Sequence, residues 1–284
     1  MIGRYLYTVF TGRAGGEQTT EIFEKSVSDC IARNEFPGYM PTLPGAFGTM
    51  QRQFHRKFIE TDELLGRGNV IDAFVRGDSR YIEKVARLRF EMIWAEMRKM
   101  EAQIFIDVSK NISRGMHTVI DQIIPEYSVL LIVRDPIANM RSFLNRRKKF
   151  LLDNNMPDHS CNEFVIDSAG FEKGEFYLWM WCEIQLRYQK IISSTCVDKT
   201  AILRTEDIND SEKIKEVFEE LQLSFQDITI NPPKNTNIKA GYGPTKVCDS
   251  DIRLFEKFLK RIPHEIKQQI PYLNDYDPGQ SRIT

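Results

Sequence analysis

At 284 residues, 42% of them hydrophobic, the chain is long enough to bury one large core and lies near the upper size for a single domain. Its 39 basic and 40 acidic residues leave a net charge of −1, which removes any global electrostatic argument for nucleic acid as a partner. The five cysteines lack the spacing of disulfides or metal ligands, no secretory segment opens the chain, and no apolar run approaches membrane-spanning length. We therefore expect a cytoplasmic protein of enzyme size with no metal site and no membrane partner.

The chain opens with a predicted strand, a glycine-rich loop and a helix. Residues 5–11 form the strand, residues 12–16 are too rich in glycine for regular structure, and residues 17–28 carry apolar side chains at helical spacing. This order is typical of a loop that cradles phosphate groups, since its backbone N–H groups and the helix N-terminus both point at the anion.

An irregular segment is predicted next. Three prolines and three glycines between residues 34 and 48 exclude a regular element there and indicate a surface loop or lid. The wider segment, residues 34–62, keeps more aromatic side chains than a purely solvated loop needs. These are Phe36, Tyr39, Phe47, Phe54 and Phe58.

The later elements alternate between helices and strands. Helices are predicted over residues 78–102, 116–123, 175–193 and 211–221, and strands over residues 104–108, 129–133 and 200–204. This alternation predicts one α/β domain, residues 1–284, in which a central parallel sheet is flanked by helices.

A buried strand leads directly into a helix around residue 134. The five apolar residues 129–133 indicate a strand buried on both faces, and Asp135-Pro136 is typical of an N-cap followed by proline in the first helical turn. Arg134 lies at the junction, and Ser142 lies on the same face of the predicted helix as its entering turn. This arrangement predicts an anion site, with a helix-capping salt bridge as the alternative interpretation.

These motifs resemble those of the sulfotransferases that use 3′-phosphoadenosine 5′-phosphosulfate (PAPS) as the sulfuryl donor. Arg-Asp-Pro at residues 134–136, with Ser142 eight residues after the arginine, is similar to the family's 3′-phosphate motif. Thr-Gly-Arg-Ala-Gly-Gly at residues 11–16 resembles its 5′-phosphosulfate loop, and residues 201–208 resemble its Arg-Tyr-Glu-Asp-Leu segment. The tryptophan-bearing helix at residues 175–193 is also similar. The resemblance implies the P-loop NTPase-like sulfotransferase fold.

The resemblance also implies which residues bind the donor. Arg134 and Ser142 would bind the 3′-phosphate, and Arg13 would act in catalysis where the family's lysine or arginine stabilises the leaving phosphate. No metal is needed. The 5′-phosphosulfate would lie against Gly12, Arg13, Ala14, Gly15, Gly16, Glu17, Gln18 and Thr19. Ala14 and Gly16 replace hydroxyl-bearing residues of the family, so Thr19 or Thr20 would supply hydroxyl contacts instead.

The general base departs from the family pattern. In many members a Lys-Thr-His run follows the strand before the central motif, and that run falls here near residues 110–112, where the histidine is absent. Lys110 is present and would stabilise the transferring group. We predict His55 as the base, with Glu17 and Asp107 as alternatives.

The implied reaction is transfer of a sulfuryl group from PAPS to a hydroxyl or amine of a small molecule, with residues 34–62 as acceptor pocket and lid. Bacterial members of the family include natural-product enzymes, some of which sulfate polar alkaloid toxins of the saxitoxin type; the acidic Glu17 would suit such a cationic acceptor. Two alternatives remain. The first is a small-molecule kinase, whose Walker loop starting at Gly12 would need glycine at 17 and lysine at 18. The second is a catalytically silent nucleotide-binding protein.

Overall fold

Five parallel strands form one sheet at the centre of the fold. They are β1 (Arg4–Val9), β2 (Cys30–Asn34), β3 (Ile104–Val108), β4 (Tyr127–Val133) and β5 (Val197–Arg204). Their order across the sheet is β2-β3-β1-β4-β5, and every neighbouring pair is parallel. The computed structural model that shows these elements describes residues 3–38, 43–58, 61–145, 152, 154–230 and 246–274.

Helices cover both faces of this sheet. In chain order they are α1 (Gly16–Ser26), α2 (Gly45–Phe58), α3 (Thr61–Leu64), α4 (Asn69–Arg76), α5 (Ser79–Lys99), α6 (Pro136–Asn145), α7 (Lys173–Ile192), α8 (Ser211–Glu220), α9 (Asp249–Leu259), α10 (His264–Gln268) and α11 (Pro271–Asn274). Apolar residues of α1 and α8 form one core with the sheet, and those of α4, α5, α6, α7 and α9 form the other. Along β1, Tyr5 and Tyr7 belong to one core and Leu6 to the other, because successive side chains of a strand point to opposite faces.

The strand and helix around Arg134 form as the sequence predicts. All seven residues of β4 are buried, as expected for a strand with helices on both sides. The carboxylate of Asp135 accepts the N–H of Ala138 at 2.7 Å, so Asp135 caps α6, and Pro136 occupies the first helical position. Strand β4 therefore ends, and α6 begins, with Arg134 held between them.

A buried ion pair fixes α5 to the sheet. The Oδ2 atom of Asp107 accepts Arg89 Nη2 at 2.6 Å and the hydroxyl of Tyr5 at 2.8 Å, and all three side chains are buried. Arg89 Nη1 also donates to the carbonyl of Leu64 at 3.3 Å. These contacts join β1, β3, α5 and the end of α3 in one charged cluster beneath the carboxyl edge of the sheet.

The predicted fold class is confirmed: the chain is α/β, with a central parallel sheet flanked by helices. The assignment of residues 1–284 to a single domain stays a prediction. No helix in the described part of the chain combines the length and the apolar character that crossing a membrane requires.

Some local predictions are wrong. Residues 45–58 are helical (α2), because the prolines at 37, 41 and 44 all precede the helix and leave its interior uninterrupted. Strand β2 and helix α4 were not predicted. Residues 116–122 form two short 3₁₀ turns, Met116–Thr118 and Ile120–Gln122, in place of a helix. The β-branched run from Thr118 to Ile120 disfavours a helix in that stretch.

Replacing Arg89 with alanine is expected to cost about 3–5 kcal/mol of unfolding free energy, because it leaves the Asp107 carboxylate buried without its cation. Arg87 on the same helix is the matched control. It is half-exposed and pairs with Glu83 at 2.7 Å, so Arg87→Ala should cost less than about 1 kcal/mol. Denaturant titrations of both variants measure the difference, and equal losses would contradict the structural role of the buried pair.

Candidate functional site

The carboxyl edge of the sheet gathers the polar residues that follow its strands. Because all five strands are parallel, their carboxyl ends meet at this edge, and ligands of such sheets bind there. The glycine loop follows β1, Arg134 follows β4 and Thr205 follows β5. Lys110 lies two residues beyond β3, and Glu35 directly follows β2. These residues form the candidate site.

The loop between β1 and α1 has the backbone of an anion cradle. Gly12, Arg13 and Gly15 have left-handed φ angles of 90°, 58° and 87°, and α1 begins at Gly16. Alternation of such conformations turns successive N–H groups into a concave surface that favours anions. Glycine is favoured at position 12, because a φ of 90° strains any residue that carries a side chain. A Cβ there would also lie 2.9 Å from Cδ of Lys110, whose side chain would have to shift.

Three side chains from neighbouring elements hold the carbonyl groups of the loop. Asn139 Nδ2 donates to the carbonyl of Gly12 at 3.0 Å, and Arg134 Nη1 donates to that of Arg13 at 2.9 Å. Thr205 Oγ1 donates to the carbonyl of Ala14 at 3.0 Å. In a trans peptide the N–H points away from the carbonyl of the preceding residue. These contacts therefore direct the N–H groups of residues 13–15 away from the three side chains that hold the loop.

The structure brings together Arg13, Arg134 and Ser142, three residues that the sequence resemblance assigns to donor binding. Arg13 Nε donates to Ser142 Oγ at 3.3 Å, while the guanidinium of Arg134 contacts the backbone of Arg13. Trp181 Nε1 donates to the carbonyl of Arg134 at 2.9 Å, which fixes the end of β4 against α7. Burial lowers the pKa of Arg134, although the carboxylates of Glu206 and Asp135 oppose the shift. Two arginines and a buried hydroxyl thus converge at one edge of the loop.

Lys110 lies on the other side of the same loop. Its aliphatic stem passes over Gly12, and its ammonium group pairs with the carboxylate of Glu35. Glu35 also accepts Arg67 Nη2 at 2.7 Å. Lys110 therefore lies beside the glycine loop, and it connects the loop to a carboxylate at the end of β2.

The other predicted loop residues lie in different environments. Glu17 is exposed in the first turn of α1, and Gln18 Nε2 donates to Asn209 Oδ1 at 2.7 Å. Thr19 is completely buried, and both its N–H and its hydroxyl donate to the carbonyl of Gly15. The hydroxyl of Thr20 donates to the carbonyl of Gly16 at 2.8 Å. Neither threonine hydroxyl replaces the hydroxyls missing at residues 14 and 16, because both are engaged within α1.

The candidate bases differ in position. His55 belongs to α2, but its side chain lies outside the described residues. Asp107 is enclosed by Arg89 and Tyr5, and although burial raises the pKa of its carboxyl group, it has no exposed surface for an acceptor. Asp107 is therefore excluded as the base by its burial. Glu17, exposed in the first turn of α1, stays a candidate base.

Sequence analysis missed three residues of this site: Glu35, Arg67 and Asn139. Asn139 lies one helical turn before Ser142, so helical spacing could have placed it on the same face. Glu35 follows a strand that was not predicted. Arg67 reaches it from the segment between α3 and α4, and no local pattern indicates that contact.

Comparisons with known proteins bear on the fold. No protein-family model and no curated protein sequence matches the chain. Among solved structures, it resembles the sulfotransferase domain from the curacin biosynthetic pathway at 11% identity, with a TM-score of 0.50 over 96% of each chain. The sulfotransferase domain of the Synechococcus PCC 7002 olefin synthase gives 12% identity and a TM-score of 0.48 over 96% of this chain and 94% of that one. The first likeness shows the fold: the chain has the P-loop-like architecture of a sulfotransferase domain.

Replacing Gly12 with alanine should weaken binding of 3′-phosphoadenosine 5′-phosphate (PAP) at least tenfold, because the new Cβ displaces Lys110 and strains the loop. Gly77 is the matched control. Its φ of 73° imposes a similar backbone strain, but a Cβ there meets nothing within 4 Å. Both variants should lose about 1 kcal/mol of unfolding free energy, and only Gly12→Ala should lose PAP affinity in calorimetry. A comparable loss in Gly77→Ala would attribute the effect to general destabilisation.

Proposed function

We propose that this chain is a sulfotransferase that moves a sulfuryl group from PAPS to a hydroxyl or amine of a small molecule. The observation that carries the proposal is the convergence of Arg13, Arg134 and Ser142 beside the glycine loop. A nucleotide with a 5′-phosphate alone needs one anion site. A donor that also carries a 3′-phosphate needs a second, and Arg134 with Ser142 supplies suitable donors next to the first.

The donor would lie across the carboxyl edge of the sheet. The N–H groups of residues 13–15 and the N-terminus of α1 would hold the 5′-phosphosulfate, and Arg134 and Ser142 the 3′-phosphate. Arg13, whose side chain contacts Ser142 and whose backbone belongs to the loop, would lie between the two groups and act on the bridging oxygen of the 5′-phosphate. The loop thus uses backbone donors and arginine in place of the hydroxyls that Ala14 and Gly16 lack.

The reaction is an in-line displacement at sulfur. The acceptor oxygen or nitrogen forms a bond to sulfur while the bond between sulfur and the 5′-phosphate oxygen breaks, and that electron pair stays on the phosphate of PAP. Arg13 would stabilise this charge, and Lys110 the oxygens of the transferring group. The proton of the acceptor must pass to a base.

Among the described residues, we assign Glu35 as the carboxylate that receives that proton. It lies at the end of β2, in contact with Lys110, whose stem covers Gly12. A base has to lie within hydrogen-bonding reach of the acceptor, on the side from which sulfur is attacked. His55, the base predicted from the sequence, stays a prediction.

The acceptor is proposed to be a small polar molecule bound near residues 34–62. The carboxylates of Glu17 and Glu35 at the site favour a cationic acceptor, for which a polar alkaloid of the saxitoxin type is one example. Helix α2 occupies much of this segment, so any lid includes a helix as well as the proline-rich loop.

Calorimetry with PAP, ATP and inorganic pyrophosphate tests the proposal. PAP should bind at least tenfold more tightly than ATP, because only PAP places a phosphate at Arg134 and Ser142. A kinase would instead prefer ATP with magnesium, although Glu17 and Gln18 stand where its loop needs glycine and lysine. Preference for ATP overturns the proposal, and PAP binding without release of sulfuryl groups from PAPS to any acceptor or to water would support the catalytically silent alternative.

Arg134→Ala should weaken PAP binding by about 2–4 kcal/mol, since a charge-assisted contact in a partly desolvated site is lost. Adenosine 5′-phosphosulfate lacks the 3′-phosphate, so its binding should weaken by only about 1 kcal/mol, the contribution of the hydrogen bond from Arg134 to the carbonyl of Arg13. Calorimetry of both ligands measures the split. Equal losses would remove the assignment of Arg134 to the 3′-phosphate.

A further inference from the structure

Glu35 is held between two cations that belong to different parts of the fold. Its carboxylate pairs with the ammonium of Lys110 and accepts Arg67 Nη2 at 2.7 Å. All three side chains are about a quarter exposed or less, so these contacts are only partly screened by solvent. Glu35 also has a φ of 56°, a left-handed conformation that strains a residue other than glycine. A site that keeps this strain fixes the position of the carboxylate.

The two cations are anchored on opposite sides of Glu35. Lys110 belongs to the donor side, because its stem lies over Gly12 of the phosphate-type loop. Arg67 belongs to the segment between α3 and α4. That segment is fixed on the end of β3, since a Cβ at Gly66 would lie 3.0 Å from the carbonyl oxygen of Asn111. Arg67 thus reaches one carboxylate oxygen of Glu35 from a segment packed beside Asn111, while Lys110 pairs with the other oxygen.

Donor binding acts differently on the two cations. The phosphosulfate brings several negative charges to the loop beside Gly12, and the flexible ammonium of Lys110 lies close enough to turn to them. Arg67, which binds the other carboxylate oxygen and belongs to a segment packed beside Asn111, would keep its contact with Glu35. After donor binding, Glu35 therefore loses its contact with Lys110 and retains its contact with Arg67.

We propose that Arg67 is a positioning residue that keeps Glu35 oriented and ionised for the acceptor once Lys110 has turned to the donor. This inference rests on the proposed function and deepens it, because it divides the two cations between the donor half and the acceptor half of the reaction. When the acceptor attacks sulfur, its proton passes to Glu35, and Arg67 holds the carboxylate oxygen that does not receive the proton.

The charged surroundings of Glu35 in the described residues support this division. Lys110 from the end of β3 and Arg67 from the segment before α4 are the charged groups in contact with it. Arg33 on β2, two residues before Glu35, pairs instead with Glu24 at 2.9 Å and Glu96 at 3.6 Å. Arg33 therefore offers a matched control for the loss of a nearby positive charge.

The test measures the pH dependence of PAPS hydrolysis at saturating PAPS, with water as the acceptor, for Arg67→Gln, Arg67→Lys and Arg33→Gln. Loss of the cation favours the protonated carboxyl group, which cannot accept a proton, so the acid limb of the Arg67→Gln profile should move up by about one pH unit. Arg67→Lys should restore the wild-type limb within about 0.3 pH units, because its charge is kept. Arg33→Gln should leave the profile unchanged, and PAP affinity should stay within about twofold for all three variants.

The outcomes separate this inference from the proposed function. If the wild-type protein binds PAP and releases sulfate from PAPS, but Arg67→Gln loses turnover by the same factor at every pH, Arg67 is structural and the inference fails alone. An acid limb that stays shifted in Arg67→Lys overturns the inference as well. If the wild-type protein neither binds PAP nor consumes PAPS, the proposed function fails, and the role of Arg67 fails with it.

Discussion

The candidate site depends on how the loop after β1 is held. Asn139, Arg134 and Thr205 bind the carbonyl groups of three consecutive loop residues, and all three side chains come from the β4–β5 side of the sheet. Because peptide N–H groups point away from these carbonyls, the contacts that hold the loop also orient its donors. Under the proposed function, the anion would be bound by backbone groups whose direction neighbouring elements determine, so the site would not need hydroxyls at residues 14 and 16.

Charged contacts fix the acceptor side in a comparable way. Arg89 joins the buried Asp107 to the carbonyl of Leu64, at the end of α3. Arg67, three residues later, reaches Glu35 at the end of β2. The short segment from Leu64 to Arg67 is thus tied to two neighbouring strands of the sheet. The contact through Arg89 to β3 lies inside the core, and the contact with Glu35 after β2 lies at the edge of the sheet. If Glu35 is the base, as proposed, this support holds it more firmly than a free loop would.

Local patterns in the sequence predicted the part of the candidate site around β1 and β4 and missed much of the part at the ends of β2 and β3. Arg134 and Ser142 both contact Arg13, and their positions follow from one strand and one helix, whose burial and capping are readable in adjacent residues. Glu35 meets Lys110 only because β2 lies beside β3, which is a property of the sheet order. Asp107 was a reasonable base until its partner Arg89, 18 residues earlier in the chain, was located. The helix at residues 45–58 was missed because the prolines at 37, 41 and 44 indicated an irregular segment through residue 48, although all three precede the helix.

The central position of β1 has a consequence for folding. This strand comes first in the chain, yet its partners β3 and β4 begin at residues 104 and 127. Pairing over such separations is slow, because long loops must close before the contacts form. The side chains that hold the glycine loop come later still, up to residue 205. During synthesis the contacts that hold the glycine loop are therefore complete only after residue 205 has emerged, and a truncated product ending before β5 would expose β4 as an apolar sheet edge.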